Sequence, residues 1–317
     1  SAPKITMTYL NDKVVNGTVV KSAGSAYTPG EWTNGVKVRI EFNDTDSRDV
    51  LNYVDIDKVE YYDDATDTWK AVCSNVGADY CIWNRSADFN KTVKFRITNS
   101  EGHVSDVSSE YTIRVDASAP TCGTKVENTT WTNASKTVSV GCVDSGYSVC
   151  SKTTYSETYP TGSVLNKKVT SIKIYDNAGN SATCSLNVYV DTTKPSSCSI
   201  SLKDAKGNTI NNGATANYDV TFTVTGIDNK TDDSDINTSK TYAKIGSTKY
   251  EDTTSLDNGT YTVTPVCTDN AGNVTTGSAV SFTLNKTVTI TYMANGGSGS
   301  TNATICNYNQ NCTVANN

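Results

Sequence analysis

Short segments in which apolar and polar residues alternate recur three times along the chain. A period of two residues is typical of a β-strand with one buried face. An early segment of each repeat shows it, with apolar residues at Val36, Val38, Ile40 and Phe42, at Val138, Val140 and Cys142, and at Val220, Phe222 and Val224. The recurrence predicts equivalent strands in three repeated units.

Each repeat also ends in the same way. A late strand leads into a five-residue turn, Asn-Ser-Glu-Gly-His at 99–103 and Asp-Asn-Ala-Gly-Asn at 176–180 and 269–273. Glycine is fourth in each turn, where a tight hairpin needs a positive φ. The Asp or Asn at the head can accept a hydrogen bond from the backbone two residues on. A final strand then ends at Asp116 or Asp191, and at Asn285 in the third repeat.

Proline-containing triplets precede each repeat: Ser1-Ala2-Pro3, Ser118-Ala119-Pro120 and Thr193-Lys194-Pro195. They predict domains at 1–117, 118–193 and 194–285, followed by a strand-rich segment at 286–317. The 317 residues, 36% of them hydrophobic, suffice for several modest cores. No segment has a convincing helical period, so we expect an all-β chain.

Charge and cysteine content limit the partners and the compartment. A net charge of −6 argues against nucleic acid, which requires clustered Lys and Arg. No stretch approaches the ~18 apolar residues of a membrane span, so membrane insertion is not expected. The ten cysteines are even in number, form no CxxC pair and are accompanied by one His. This pattern favours disulfides over zinc and predicts an extracellular protein, secreted or attached to a cell wall.

The positions of the cysteines favour a particular pairing. Three pairs bracket short loops: Cys73–Cys81, Cys142–Cys150 and Cys306–Cys312. Cys198 and Cys267 are the only cysteines of the third repeat, so they should bond to each other. By analogy Cys122 should reach Cys184. Cys122 with Cys142 and Cys150 with Cys184 remains an open alternative.

The short strands, the Val-Asp-x-x-x-Pro linkers and the Asp-Asn-Ala-Gly-Asn turns resemble the bacterial immunoglobulin-like domains found in tandem on surface and secreted proteins of Gram-positive gut bacteria. The resemblance covers residues 1–285 and implies tandem immunoglobulin-like β-sandwiches with a short C-terminal β stub. The segment 288–300 is similar to the first half of a Listeria-Bacteroides repeat, a small β-grasp module of cell-surface proteins.

Groups suited to catalysis are scarce. His103 is the only histidine, and it occupies a turn position that Asn180 and Asn273 hold in the other repeats. Motifs of serine hydrolases, zinc peptidases and nucleotide-binding loops are absent. The sequence therefore predicts that the chain is not an enzyme and needs no organic cofactor.

Calcium is the one metal ion for which the sequence offers candidate ligands. The loop at 228–235 offers the alternating oxygens of Asp228, Asp232, Asp233 and Asp235, but it lacks the glycine and the closing glutamate of the helical calcium loop. A second hypothesis places calcium between a linker aspartate and a turn aspartate. The linker residues are Asp116 and Asp191, and the turn residues are Asp176 and Asp269. At both places the sequence favours hydrogen-bonded turns over a bound ion.

Aromatic residues suggest a ligand surface on the first repeat. Tyr61, Tyr62, Trp69, Tyr80 and Trp83 crowd around the loop between Cys73 and Cys81. Such side chains serve either a core or a flat binding face, and the sequence favours the core and the coating of a sheet. As a binding face they would suit a host glycan or an extracellular protein.

Two functions follow as expectations. The first is a non-catalytic stalk or adhesion region that spaces and presents a binding or catalytic head of the same longer chain. The second is an accessory C-terminal region of a large secreted hydrolase, either a glycoside hydrolase or a metallopeptidase such as an enzyme that cleaves immunoglobulin A. The same fold can serve both functions, so the choice between them depends on the chemistry of particular residues.

Overall fold

The structure is a computed structural model that describes residues 4–10, 27–43, 56–76, 80–100, 102–161, 166–228, 233–293 and 301–315. The chain separates into two compact units. Unit 1 comprises Ser1–Val126, Ser139–Ser156 and Ser171–Ser185, and unit 2 comprises Glu127–Val138, Glu157–Thr170 and Leu186–Asn317. The domain boundaries expected from the sequence remain a prediction beside this division.

The first strands form an N-terminal β-sandwich within unit 1. They are β1 Lys4–Leu10, β2 Trp32–Thr33, β3 Val36–Asn43, β4 Ile56–Asp63, β5 Thr68–Val76, β6 Tyr80–Arg85, β7 Phe89–Val93, β8 Phe95–Asn99 and β9 Tyr111–Val115. The strand orders are β1-β3-β6, β5-β4-β8 and β2-β9-β7. All these pairings are antiparallel except that of β2 with β9, which is parallel.

The alternating residues of these strands fill the core of the sandwich. Val38, Ile40, Phe95, Ile97 and Ile113 are fully buried. Each such side chain contributes roughly 1.5–3 kcal/mol by leaving water. The cluster therefore accounts for the period of two in the sequence.

The central strands are β10 Thr121–Val126, β11 Lys136–Val143, β12 Thr154–Tyr159, β13 Asn166–Tyr175 and β14 Ser181–Asp191. They form a sheet of order β10-β11-β12 and a pair β13-β14. Strands β11 to β14 each have residues in both units. In β13, Ile172 and Ile174 are buried while Ser171, Lys173 and Tyr175 are exposed, so the alternation expected for this strand is present.

A second sandwich lies within unit 2. Its strands are β15 Ser197–Asp204, β16 Thr215–Ala216, β17 Val220–Ile227, β18 Tyr242–Ile245, β19 Thr248–Tyr250, β20 Gly259–Thr268, β21 Val274–Thr276 and β22 Val280–Leu284. β15 pairs with β17, and the other sheet has the order β16-β22-β20-β18-β19, with β21 on β20. As in unit 1, a two-residue strand, β16, pairs in parallel with the last strand. Leu202, Val220 and Phe282 are among the buried core residues.

The segment after β22 forms a hairpin of β23 Thr287–Ile290 and β24 Thr304–Asn307. Across the described residues the one helical element is a 3₁₀ turn at Thr238–Lys240. No helix in this part of the chain is long and apolar enough to cross a membrane. The predicted fold class, tandem immunoglobulin-like β-sandwiches with a short β stub, is confirmed.

Five disulfides join the ten cysteines, in the pairing that the sequence favoured over the crossed alternative. They are Cys73–Cys81, Cys122–Cys184, Cys142–Cys150, Cys198–Cys267 and Cys306–Cys312. Cys198 lies on β15 and Cys267 on β20, so this bond connects the two sheets of the second sandwich.

Candidate functional site

Two clusters of three aspartates lie where one repeat ends and the next begins. In each cluster the first aspartate lies at the end of a repeat. The other two belong to the next repeat, where one follows the early strand and the other is the first residue of the late turn. In each cluster, one carboxylate oxygen from every residue lies within 4.8 Å of the others. The clusters are Asp116, Asp144 and Asp176 in unit 1, and Asp191, Asp228 and Asp269 in unit 2.

The turn at 176–180 ties the first cluster together. The Asn180 backbone N–H donates to Asp176 Oδ1 at 2.8 Å, and Gly179 has the expected positive φ of 93°. The Asn180 side-chain amide donates to Asp176 Oδ2 and to the carbonyl oxygen of Asp116, at 2.7 Å each. One asparagine therefore connects the turn to the end of the preceding repeat.

The turn at 269–273 repeats this arrangement in the second cluster. The Asn273 backbone N–H donates to Asp269 Oδ1 at 2.8 Å. The Asn273 amide donates to Asp269 Oδ2 at 2.8 Å and to the Asp191 carbonyl at 2.9 Å. The same atoms are thus connected in both junctions.

The linker aspartates are completely buried and accept backbone hydrogen bonds. Asp116 accepts from the N–H groups of Ser118 at 3.0 Å and Ser148 at 2.7 Å. Asp191 accepts from Thr193 at 2.9 Å and Ser234 at 2.8 Å. Burial raises the pKa of Asp116, but the hydrogen bonds outweigh it, and the pKa lies below its ordinary value. Asp116 is therefore held ionised.

Other oxygens at the clusters are buried without a hydrogen bond from any described residue. They are Asp144 Oδ2, Ser148 Oγ and both carboxylate oxygens of Asp228. Ser148 as a whole is only 2% exposed. Such groups carry the full cost of desolvation unless a partner satisfies them.

Acids crowd around Asp228. Burial, together with the neighbouring carboxylates of Asp233 and Asp191, raises the pKa of Asp228 to about 7. Burial also raises the pKa of Asp269, assisted by Asp191 and opposed by the hydrogen bonds from Asn273. Asp228 and Asp233 could share a hydrogen bond only if one of the two were protonated, because an ionised carboxylate can only accept hydrogen bonds. This cluster therefore concentrates negative charge that its hydrogen bonds do not balance.

The structure regroups the aspartates proposed from the sequence. Asp116 meets Asp176 and Asp191 meets Asp269, as the linker hypothesis required. The loop hypothesis stays a prediction, while the structure brings Asp228 to the linker acids and leaves Asp235 exposed. Asp233 Oδ1 instead accepts from Asn166 at 2.6 Å and Thr193 at 3.2 Å. Asp232 lies outside the described residues.

Asp144 is the cluster residue that the sequence analysis missed. It follows Val143, the end of β11, as Asp228 follows Ile227, the end of β17. When Val138 is aligned with Phe222 and Val140 with Val224, rather than Val138 with Val220, both aspartates fall at the same position. That comparison was the available signal.

A third turn has the same local geometry without the cluster. Asp204-Ala205-Lys206-Gly207-Asn208 places the Asn208 N–H at 2.8 Å from Asp204 Oδ1 and the Asn208 amide at 3.0 Å from Oδ2. Gly207 has a φ of 84°. This turn is exposed, and Asp204 belongs to neither aspartate cluster. The turn motif alone therefore does not create the junction sites.

The aromatic group predicted on the first repeat divides between core and surface. Tyr61 and Trp83 are buried, with ring centroids 4.8 Å apart, so their place in a ligand patch is corrected. Both rings pack edge to face on Phe89, with centroid distances of 6.4 Å and 5.4 Å. Tyr80 is part of β6, and its side chain lies outside the described part of the structure.

Tyr62 and Trp69 remain as a partly exposed pair. Together with Lys94 and Arg96 they form a surface that we call the aromatic–basic face. The two rings meet edge to face at 5.3 Å. Arg96 lies 4.3 Å from the Trp69 ring centroid, and Lys94 Nζ lies 4.6 Å from that of Tyr62. Arg96 also pairs with Glu60 at 2.8 Å, which fixes its orientation. Flat rings with adjacent cations suit a sugar or an acidic ligand.

Other candidates offer less chemistry. His103 is exposed in the turn at 99–103, where its backbone N–H donates to Asn99 Oδ1 at 2.9 Å. A cleft of about 370 Å³ beside β17 and β18 includes Glu251, Tyr242 and Tyr250 as its titratable lining residues.

Neither a protein family nor a curated protein matches the chain. Among solved structures, it is similar to a tetra-tandem repeat from the extending region of a large adhesion protein, at 14% identity and a TM-score of 0.29, over 90% of this chain and 75% of that one. It is also similar to fibronectin(III)-like modules of Clostridium thermocellum CbhA, at 10% identity and a TM-score of 0.19, over 81% and 88%. A third is the Bacteroides ovatus mixed-linkage glucan utilization locus SGBP-B in complex with a mixed-linkage heptasaccharide, at 16% identity and a TM-score of 0.21, over 95% and 76%. With scores this low, the fold assignment depends on the strand pairing of the chain itself.

Proposed function

We propose that the chain is a non-catalytic extracellular stalk, which spaces and presents a binding or catalytic head of a longer protein. The observation that carries this proposal is the burial of the connections between repeats. Asp116 and Asp191 have no exposed surface, and the turn asparagine of the next repeat holds each of their carbonyls. A connection held in this way transmits force and position better than a flexible linker does.

The connections are also short and stiff in composition. Five residues separate β9 from β10, and five separate β14 from β15. Each connection contains a buried proline, Pro120 or Pro195, whose ring fixes φ. These features favour a spacer over a hinge. Disulfides suit the same role because they persist in oxidising surroundings.

Pulling on the oxidised chain by its ends should give much shorter extensions than pulling on the reduced chain. The bonds Cys122–Cys184 and Cys198–Cys267 span separations of 62 and 69 residues. At ~3.5 Å per residue they withhold roughly 220 Å and 240 Å of chain from extension. Single-molecule force spectroscopy with and without reductant measures the difference. Equal contour lengths, or extension of the oxidised chain at forces typical of an unfolded polymer, would contradict the stalk proposal.

The finer parts of the proposal concern the setting. We place the stalk on a Gram-positive bacterium, secreted or anchored to the cell wall, with domains at 1–117, 118–193 and 194–285. The stub at 286–317 would be the first half of a Listeria-Bacteroides repeat. An accessory region of a secreted hydrolase is the alternative setting, and the same junctions would then position an upstream catalytic domain. In either setting the chain has no turnover of its own, and His103→Ala should change no activity.

A second candidate function, ligand binding by the first repeat, is favoured by the aromatic–basic face. The expected partners are a host glycan or an extracellular protein. Trp69→Ala should reduce any signal on a glycan or matrix-protein array about tenfold, because stacking contacts of this kind contribute ~1–2 kcal/mol. The matched control is Trp131→Ala, which removes a tryptophan that packs on Tyr189. Equal signals from the wild type and Trp69→Ala would exclude the face as the binding site.

A further inference from the structure

The two aspartate clusters have the composition of hard-cation sites. All three charged donors in each cluster are carboxylate oxygens, without nitrogen or sulfur. Such donor sets favour Ca²⁺ and related ions over zinc or copper. The three donor atoms lie within 4.8 Å of one another. An ion between them would be at most about 2.8 Å from each, so shifts of a few tenths of an ångström give the calcium distances of about 2.3–2.6 Å.

Buried oxygens without partners give a second, independent indication of a ligand. Asp144 Oδ2 in the first cluster and both oxygens of Asp228 in the second are inaccessible to water and accept no hydrogen bond from any residue in the described segments. Ser148, almost completely buried, adds an unpartnered hydroxyl beside Asp116. A cation would satisfy these atoms and also neutralise the adjacent charges.

We propose that each cluster binds one calcium-type divalent cation, so that the chain carries two equivalent cation sites at successive junctions. The first site uses Asp116, Asp144 and Asp176, and the second uses Asp191, Asp228 and Asp269. Backbone carbonyls and water would complete each shell, as in other calcium sites.

The duplication argues that the sites are not incidental groupings of surface acids. Corresponding atoms make corresponding hydrogen bonds in both clusters, through Asn180 in one and Asn273 in the other. The turn headed by Asp204 shows what the motif does alone: it closes a hairpin and gathers no second acid. The additional aspartates at the junctions therefore require an explanation beyond turn formation.

Each ion would connect the end of one repeat to two loops of the next. Asp116 follows β9, whereas Asp144 follows β11 and Asp176 follows β13. Without an ion the three carboxylates repel one another across a buried space. Calcium should therefore stabilise the junctions, which deepens the proposed stalk function without depending on it.

Calcium binding to the whole disulfide-bonded chain tests the proposal directly. The chain is treated with a chelator and then examined by equilibrium dialysis against CaCl₂ at neutral pH. We expect two bound ions per chain, with dissociation constants on the order of 10⁻⁴–10⁻³ M, as in other extracellular modules. Fewer than two bound ions at about 5 mM calcium would overturn the proposal.

Single substitutions separate the two sites. Asp144→Asn and Asp228→Asn should each reduce the stoichiometry from two to one, and together they should reduce it to zero. Asparagine at 144 keeps an oxygen for the N–H of Gly146, which donates to Asp144 at 2.8 Å, so folding should survive. Thermal unfolding without calcium checks this: the variants should melt no lower than the wild type, but they should lose its upward shift on calcium addition.

Asp204→Asn is the matched control, because it alters the same turn geometry away from the clusters. It should keep two ions per chain. Loss of binding in this control, or two ions retained in both cluster variants, would overturn the proposal. These results are independent of the force measurement, which tests the disulfide-bonded stalk and does not require calcium.

Discussion

Replacing both Cys198 and Cys267 by alanine should lower the free energy of unfolding of the second sandwich by about 4 kcal/mol. The bond closes a separation of 69 residues, so it removes much of the conformational freedom of the unfolded chain. It also connects the two sheets at a position where Cys267 is fully buried. Hydrogen exchange of peptides from β15 and β20, followed by mass spectrometry, measures the loss within this sandwich.

The Cys73→Ala, Cys81→Ala variant provides the control for loop length. This pair has a separation of only 8 residues, so the expected loss is about 2.5 kcal/mol and falls on the N-terminal sandwich. Equal losses for the two pairs would argue against a stabilisation that depends on loop length. A loss that spread to the other sandwich would argue against independent folding of the repeats.

Gly277→Ala should destabilise the second sandwich by about 3 kcal/mol, at the upper end of the range for overpacking. A Cβ at this position would overlap with the carbonyl oxygen of Cys198 and lie 2.9 Å from Pro265 Cγ. The Gly277 N–H donates to the Pro265 carbonyl at 3.1 Å, so the backbone has little room to retreat. Urea unfolding followed by circular dichroism measures the change.

Gly259→Ala is the matched control for this substitution. Its Cβ would meet the Tyr261 hydroxyl at 3.7 Å, an ordinary contact. The control should change the free energy of unfolding by less than about 1 kcal/mol. If Gly277→Ala were as mild as the control, the close approach between Gly277 and Cys198 would not exist in solution.

Local patterns in the sequence predicted the strands and turns well. Gly102, Gly179 and Gly272 all have the positive φ expected from their fourth position, with values of 82°, 93° and 98°. Alternation identified β3, β11 and β17, because a strand with one buried face leaves a direct imprint on the sequence. The cysteine pairing was accessible for a similar reason, since few cysteines compete within each repeat.

Tertiary placement could not be obtained from the same patterns. Alternation does not say which face of a strand meets the core, so Tyr61 and Trp83 were grouped with Tyr62 and Trp69, although the first two are buried. Asp144 and Asp228 lie just beyond their strands, where no periodicity constrains them. Their convergence on the linker aspartates depends on the approach of three separate loops, which is a property of the folded chain.

The disulfide pattern also has a consequence for survival among extracellular proteases. Cys122–Cys184 encloses most of the central strands and contains Cys142–Cys150 within its span. A single cut between Cys122 and Cys184, or between Cys198 and Cys267, therefore leaves the two fragments covalently joined. A nicked molecule would still hold whatever it carries at its far end, and two cuts in separate intervals would be no more effective than one.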